Sequence, residues 1–403
     1  MRIRALALVG FIAAILLVAA PAAAQGNPQS FNQWLAGVRQ EAIAQGISAA
    51  AIDPVLAQVR YDPEIVERDQ RQPEFVSTFW NYISRAVTDD RVARGRAALQ
   101  QYAGVLGQIE QRYGVPRHYI VAFWAVESNF GDIQGSFPVI QSIATRAYDR
   151  RATGGFRAQL IDALRMVANG VPSSRMVGSW AGAMGQPQFM PSAFLAFAVD
   201  YDSDGFPNLW DSEPDVFASI ANYLARNGWQ RDALWGREVV LPPNFDWNLT
   251  GMDTERTLAQ WQQLGVRRVG GSDLPVADIS ASIVLPAGHQ GPAFMVYDNF
   301  DTIMSYNRAV FYALTIGHLA DRLAGRPGLS RTAPAGERAL RFEEISEIQQ
   351  RLNALGFDAG PVDGIPGSQT RRAVRAFQQQ IGVPADGFIS SSLLDALRRS
   401  SPG

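Results

Sequence analysis

The 403-residue sequence contains no cysteine, and its three histidines are His118, His289 and His318. Without cysteine there is no disulfide, no thiolate metal site, no cysteine nucleophile and no lipid-carrying N-terminal cysteine. Three scattered histidines argue against a multi-histidine metal cluster. Lysine is also missing: all 36 basic residues are arginine, which we read as genomic composition bias. The net charge of −2 falls to −4 without Arg2 and Arg4, so nothing attracts nucleic acid or an acidic membrane surface. After residue 24 no stretch is apolar and long enough to cross a bilayer.

Hydrophobic content of 47% and charged content of 18% describe a globular protein with room for two domains. Met1 to Ala24 carries two arginines, an apolar run from Ala5 to Ala20 and a Pro-Ala-Ala-Ala end. This is the pattern of a secretory leader cleaved after Ala24, with an uncleaved anchor as the alternative. The mature chain is then expected to be exported and soluble.

The chain centres on Tyr119 to Gly131, YIVAFWAVESNFG, whose one acid is Glu127. Pro116 is suited to open a helix running to Phe130. Helical spacing places Phe123, Trp124 and Phe130 around Glu127. An acid against aromatic walls is desolvated and stays protonated near neutrality, as a general acid for glycoside cleavage must. Spacing alone leaves a second reading open, a solvated glutamate on the last turn of a core helix.

Upstream, Phe31 to Gly114 reads as helices, with Ser48 as a cap, an aromatic run at Phe75, Phe79, Trp80 and Tyr82 behind Gln72-Pro73-Glu74, and one long helix over Val92 to Tyr113. Val139 to Tyr148 and Phe156 to Ala168 follow as helices. Gly178 to Pro191, GSWAGAMGQPQFMP, is rich in small residues and suits close backbone approach, to a ligand or within a tight turn. Pro191 opens a helix to about Val199. Asp200, Asp202, Asp204 and Gly205 then alternate like the first half of a calcium loop, with Asp211 or Asp215 as the later acid. Pro214 to Asn227 is helical.

Glu238–Leu241, Ala281–Leu285 and Ala293–Tyr297 read as strands, with a helix over Thr254 to Leu264 among them and a return to helix over Asp301 to Ala324. Gly325 to Ala339 has the composition of a linker. The remainder predicts three helices, with Ser368 and Ser390 as caps and Ile345, Ile348, Leu352, Leu355, Val374, Phe377 and Ile381 turned inward. A unit this small suits binding rather than catalysis.

Several of these segments resemble the lytic murein transglycosylases of the membrane-bound B type, glycoside hydrolase family 103. They are Gly114-Val-Pro through Glu127-Ser-Asn-Phe-Gly131, Phe137-Pro-Val-Ile140, Gly178 to Pro191 and Ser219-Ile-Ala-Asn-Tyr223. Ile348-Gln-Gln-Arg-Leu352, Val362-Asp-Gly364 and Ala373-Val-Arg-Ala-Phe-Gln378 resemble the peptidoglycan-binding type 1 domain. The resemblance implies a mainly α protein, with a lysozyme-like α+β catalytic core carrying extra helical and small β subdomains and a C-terminal three-helix binding domain. The expected division is a leader over 1–24, a catalytic domain over 25–325, a linker over 326–340 and a binding domain over 341–400.

The resemblance also implies cleavage of the β-1,4 bond between N-acetylmuramic acid and N-acetylglucosamine, forming 1,6-anhydromuramoyl ends with Glu127 as acid and then base. No cofactor takes part in that chemistry. The implied glycan contacts are Ser179, Gln188, Phe189, Tyr223, Tyr306, Asn307 and Tyr312, with Tyr306-Asn307 orienting the acetamido group. A structural calcium ion is implied on Asp200, Asp202, Asp204, the Phe206 carbonyl and Asp215. The missing lipid cysteine implies a soluble periplasmic form acting on peptidoglycan strands. A hydrolytic muramidase and a non-catalytic cell-wall scaffold are the rival functions.

Overall fold

A computed structural model describes residues 28–70, 77–149, 155–334 and 338–400. The expected leader lies outside these residues, as do Gln72-Pro73-Glu74 and Phe75. At the centre runs helix Arg117–Ser128, in which Tyr119 through Ala125 are all buried. A helix apolar on every side has to be wrapped by others. It packs against Asp89–Gln101, Ala103–Tyr113, Glu213–Arg226 and Val310–Leu323. Gly114, left-handed at φ 74°, ends the preceding helix, and Pro116 is the N-cap of the central one.

A second apolar core lies among helices Pro28–Ala44, Ala49–Leu56, Val139–Tyr148, Phe156–Ala168 and Pro191–Phe197. Strands Phe137–Pro138 and Val177–Gly178 form a short antiparallel ribbon beside it. A third core backs a five-stranded sheet in the order Gly251–Thr257, Ser280–Val284, Ala293–Val296, Gly236–Val240, Arg267–Arg268. Neighbouring strands in this sheet pair antiparallel. Helix Leu258–Gln263 is anchored on the sheet by Trp261, whose indole N–H donates to the Ala281 carbonyl at 2.8 Å. Helices Phe342–Ala354, Ser368–Gln380 and Ser391–Ser400 close the smallest core.

Several predicted elements break where tertiary contacts outweigh local pattern. The long helix over Val92 to Tyr113 is two helices divided at Tyr102, whose ring packs edge-on against Trp124 and Phe217. The predicted helix from Thr254 begins only at Leu258, because Thr254 to Thr257 belong to a strand paired with Ser280–Val284. The helix over Asp301 to Ala324 is likewise two, Asp298–Tyr306 and Val310–Leu323. Between them Asn307 is extended, and its side chain accepts from the Ala309 amide at 3.2 Å. Such local side-chain bonding competes with helix continuation. Ser368 is the first helical residue after Gly367 rather than a cap, and Ile381 is 38% exposed at its helix end rather than inward. Ser390 does cap the last helix, accepting from the Leu393 amide.

The linker-like segment is held against the larger unit. Ser330 donates through its amide and hydroxyl to Glu238 at 2.9 and 2.5 Å. Arg331 donates to the carbonyls of His289, Gln290 and Gly291. The small domain is docked as well. Asp386, on that domain, accepts from the amide of His289 at 2.8 Å and meets its Nδ1 at 2.8 Å. The same carboxylate accepts from Gln378 and from the Phe388 amide within its own domain.

Candidate active site and candidate cation loop

Glu127 occupies the last turn of the central helix, where the negative end of the helix dipole disfavours a carboxylate. Beyond it Asn129, Phe130 and Gly131 are all left-handed, at φ 52°, 64° and 85°. That turn is tied by Ser128, whose hydroxyl accepts from the Gly131 amide at 3.0 Å and donates to the Trp124 carbonyl. Glu127 keeps some accessible surface, yet the protein packed around it desolvates the carboxyl and raises its pKa to about 7. A hydrogen bond donated by Tyr312 to Glu127 Oε1 opposes part of this rise. Tyr312 and Tyr306 are themselves pushed well above the usual phenol range, by burial first and by nearby Glu127 second.

The aromatic surround therefore differs from the one that spacing predicts. Trp124 turns toward Tyr102, Phe217 and Phe130, and donates its indole N–H to Gln186 Oε1 at 2.5 Å. Phe123 packs against Tyr306 at 4.7 Å and Tyr312 at 6.2 Å between centroids. Glu127 thus meets two phenols delivered by helices far along the chain.

Most other predicted glycan contacts are bonded to backbone. Ser179 accepts the Ala183 amide at 3.1 Å. Gln188, left-handed at φ 51°, donates to the carbonyls of Gln134 and Gly185. Tyr223 donates to the Ser305 carbonyl at 2.8 Å, and Tyr306 to the Pro187 carbonyl at 2.5 Å. Phe189 is buried and packs against Tyr223 and Tyr306 at 5.8 Å each. Asn307 is exposed. The cluster of Phe123, Phe189, Tyr223 and Tyr306 is real, but its hydroxyls hold the scaffold together.

The small residues serve close approach of the chain to itself. A Cβ on Gly178 would sit 2.0 Å from the Ala183 carbonyl oxygen, and one on Gly135 would sit 2.1 Å from that of Gly178. Sequence reasoning passed over Gln186, which is buried. It accepts from Trp124 and donates to the Trp210 carbonyl at 3.0 Å, joining the central helix to the Asp-rich loop. A glutamine amid small and apolar residues was the available signal.

Asp200, Asp202 and Asp204 bring carboxylate oxygens within 4.8 Å of one another. Asp200 accepts the amides of Asp204 and Gly205, which curls the loop. Asp215 is buried beside Asp202, and burial first and the Asp202 charge second raise its pKa. Its two oxygens accept the amides of Tyr201 and Asn208, each at 2.7 Å, so it braces both ends of the loop. Three convergent oxygen donors fit a hard divalent cation.

Comparison with known proteins agrees with this architecture. Residues 30–321 match the family described as Transglycosylase SLT domain, and residues 342–397 the putative peptidoglycan binding domain. Membrane-bound lytic murein transglycosylase B of Escherichia coli (strain K12) is 30% identical over 293 residues, covering 71% of this chain and 77% of that protein. The crystal structure of SltB3 from Pseudomonas aeruginosa in complex with NAG-anhNAM-pentapeptide superposes with a TM-score of 0.87 at 45% identity, covering 92% of this chain and all of the other. The Escherichia coli lytic transglycosylase Slt35 in complex with calcium gives a TM-score of 0.60 at 27% identity, covering 73% of this chain and 92% of the other. With a mainly helical, lysozyme-like core and a helical binding unit in the same order, this chain belongs to the SLT transglycosylase family.

Proposed function

We propose that this protein is a lytic transglycosylase that cleaves the β-1,4 bond between N-acetylmuramic acid and N-acetylglucosamine in peptidoglycan, with Glu127 as acid and then base. The observation that carries the reading is the desolvated Glu127 carboxyl with a pKa of about 7. Such a carboxyl keeps a substantial protonated fraction at neutral pH and gives a competent base once the proton is lost. The route proposed uses this single carboxyl, unlike hydrolysis, which pairs two carboxyl groups across the scissile bond.

With Tyr312 donating to Oε1, the acidic proton is assigned to Oε2. Glu127 transfers it to the glycosidic oxygen as the bond from that oxygen to C1 of the muramoyl residue breaks. The muramoyl 6-hydroxyl oxygen then bonds to C1, and its proton passes to the Glu127 carboxylate. The 1,6-anhydro ring forms and the acid is regenerated without water. The substrate's acetamido group stabilises the cationic intermediate, oriented by Tyr306-Asn307. Ser179, Gln188, Phe189 and Tyr223 shape the groove, chiefly through the backbone contacts described above. Digestion of purified sacculi, with products identified by mass spectrometry, is the test: anhydromuramoyl ends support the proposal, and reducing muramic ends identify a hydrolytic muramidase instead.

Asp200, Asp202, Asp204, the Phe206 carbonyl and Asp215 are the ligands proposed for a structural calcium ion, and Asp215 also braces the loop. These ligands would hold an ion that offsets the repulsion among the acids, and the proposed bond cleavage does not involve it. The arginine-flanked apolar leader supports export to the periplasm. Among the described residues no helix is long and apolar enough to cross a membrane.

A further inference from the structure

The turn after Glu127 is a costly one for the chain to hold. Asn129 and Phe130, neither of them glycine, are left-handed at φ 52° and 64°. Such conformations persist where the surroundings over-determine them. Gln186, which is buried, supplies part of that determination. Its Oε1 accepts the Trp124 indole N–H at 2.5 Å, and its Nε2 donates to the Trp210 carbonyl at 3.0 Å. A Cβ on Gly131 would sit 2.7 Å from the same Oε1, so the carboxamide also lies against the turn. The Gln186 backbone N–H donates to the Leu209 carbonyl at 2.8 Å. The Trp210 carbonyl takes a second bond, from Gln134 at 3.0 Å, and the same Gln134 amide donates to the Gly131 carbonyl at 3.2 Å. Trp124 in turn packs edge-on against Phe130, 5.3 Å between centroids. Glu127 is thus flanked by clamped residues, Trp124 one helical turn before it and Gly131 in the turn after it.

The partners dictate which residue can stand between them. An indole N–H only donates and a carbonyl only accepts, so the bridging side chain must offer an acceptor and a donor together. A neutral carboxamide does this. A carboxylate has no donor, and an apolar side chain leaves both partners buried and unpaired. We propose that Gln186 is a positioning residue for Glu127: it holds Trp124 and Gly131, and with them the left-handed turn, so that the carboxyl keeps its place beside Tyr312. Gln186 acts through these neighbours rather than on the reacting atoms. The inference rests on the reading of Glu127 as the acid of the transglycosylase reaction.

The test compares the full-length wild type with Gln186→Met, which keeps the length of the side chain and makes neither bond. Turnover of soluble peptidoglycan strands is measured beside titration of the Glu127 carboxyl by carbon-13 NMR, its signal identified by its loss in Glu127→Gln. In Gln186→Met, kcat should fall by about ten-fold or more while KM changes by less than about two-fold, because a small misplacement of the acid costs turnover and leaves the groove intact. The Glu127 titration should move to lower pH by about half a pH unit or more, because a loosened turn admits water to the carboxyl. Gln134→Met, a half-buried change on the same carbonyl, should move both readouts the same way by less, and it decides the question if Gln186→Met does not fold. A merely structural Gln186 would lower the melting temperature alone. An unmoved Glu127 titration, or a loss confined to KM, would overturn the assignment. A wild type that releases no anhydro ends removes the proposed reaction, and the Glu127 titration then still decides whether Gln186 positions that carboxyl.

Discussion

The Tyr312 hydroxyl donates a hydrogen bond to Glu127 Oε1 across 185 residues of sequence. It places a neutral, buried phenol beside a carboxyl that burial alone would hold more firmly protonated. Tyr312 therefore tunes Glu127 downward and fixes which oxygen carries the proton. Tyr312→Phe should raise the Glu127 pKa further, because the bond that favours the carboxylate is gone. The alkaline limb of the kcat/KM profile should move to higher pH, and turnover at its optimum should fall by about ten-fold. A profile that coincides with the wild type would remove Tyr312 from this role.

Glu127→Gln keeps the shape and ends proton transfer, so release of anhydromuropeptides should drop by about 10² to 10⁴. Sacculus binding should remain. Substantial release by this variant would contradict the single-carboxyl assignment.

The same substitution should stabilise the fold at alkaline pH. The folded pKa of Glu127 is raised from 4.5 to about 7, so the native state binds the extra proton between those values. Stability contributed by this group is then unimpaired at low pH and declines as pH rises through that window. At pH 8 the buried charge costs about 3 kcal/mol, to order of magnitude. Denaturant melts of the wild type and Glu127→Gln at pH 5 and pH 8 measure the difference, and equal changes with pH in both proteins would refute it.

Asp386 fastens the small domain. Burial pushes its pKa up, but the bonds from His289, Phe388 and Gln378 outweigh this and hold it below the usual carboxylate range. Its contribution is therefore present above the ordinary aspartate pKa and is lost as pH falls through the lower, folded value. Asp386→Ala should lower stability by about 1–3 kcal/mol, the usual cost of leaving a buried hydrogen-bond donor unsatisfied. Ending the chain after Ala324 should leave cleavage of short glycans intact and weaken attachment to sacculi, since tethering raises local concentration. Unchanged sacculus pull-down after truncation would argue against a binding role.

Addition of calcium to metal-stripped protein should raise the melting temperature by ligand linkage. Asp202→Ala should remove most of that rise. A melting curve indifferent to calcium in the millimolar range, where extracellular modules bind, would leave the loop an acidic turn.

Local pattern was enough to reveal the helices Val139–Tyr148 and Phe156–Ala168 and the three-helix C-terminal unit. Their apolar period and terminal residues act within a few turns of chain, and the long motifs around Glu127 and Gly178 carried the family. Only the tertiary structure decided what surrounds Glu127. Spacing nominated Trp124, but its ring is drawn to Tyr102 and Phe217, and Tyr312 arrives from a helix near the other end of the domain. The breaks at Tyr102 and Asn307, the bracing by Asp215 and the docking of Asp386 on His289 depend equally on partners distant in sequence. Helical period reports which face of a segment is apolar. It carries no information about which remote group comes to rest against that face, and the pKa of a buried acid is set by that neighbour.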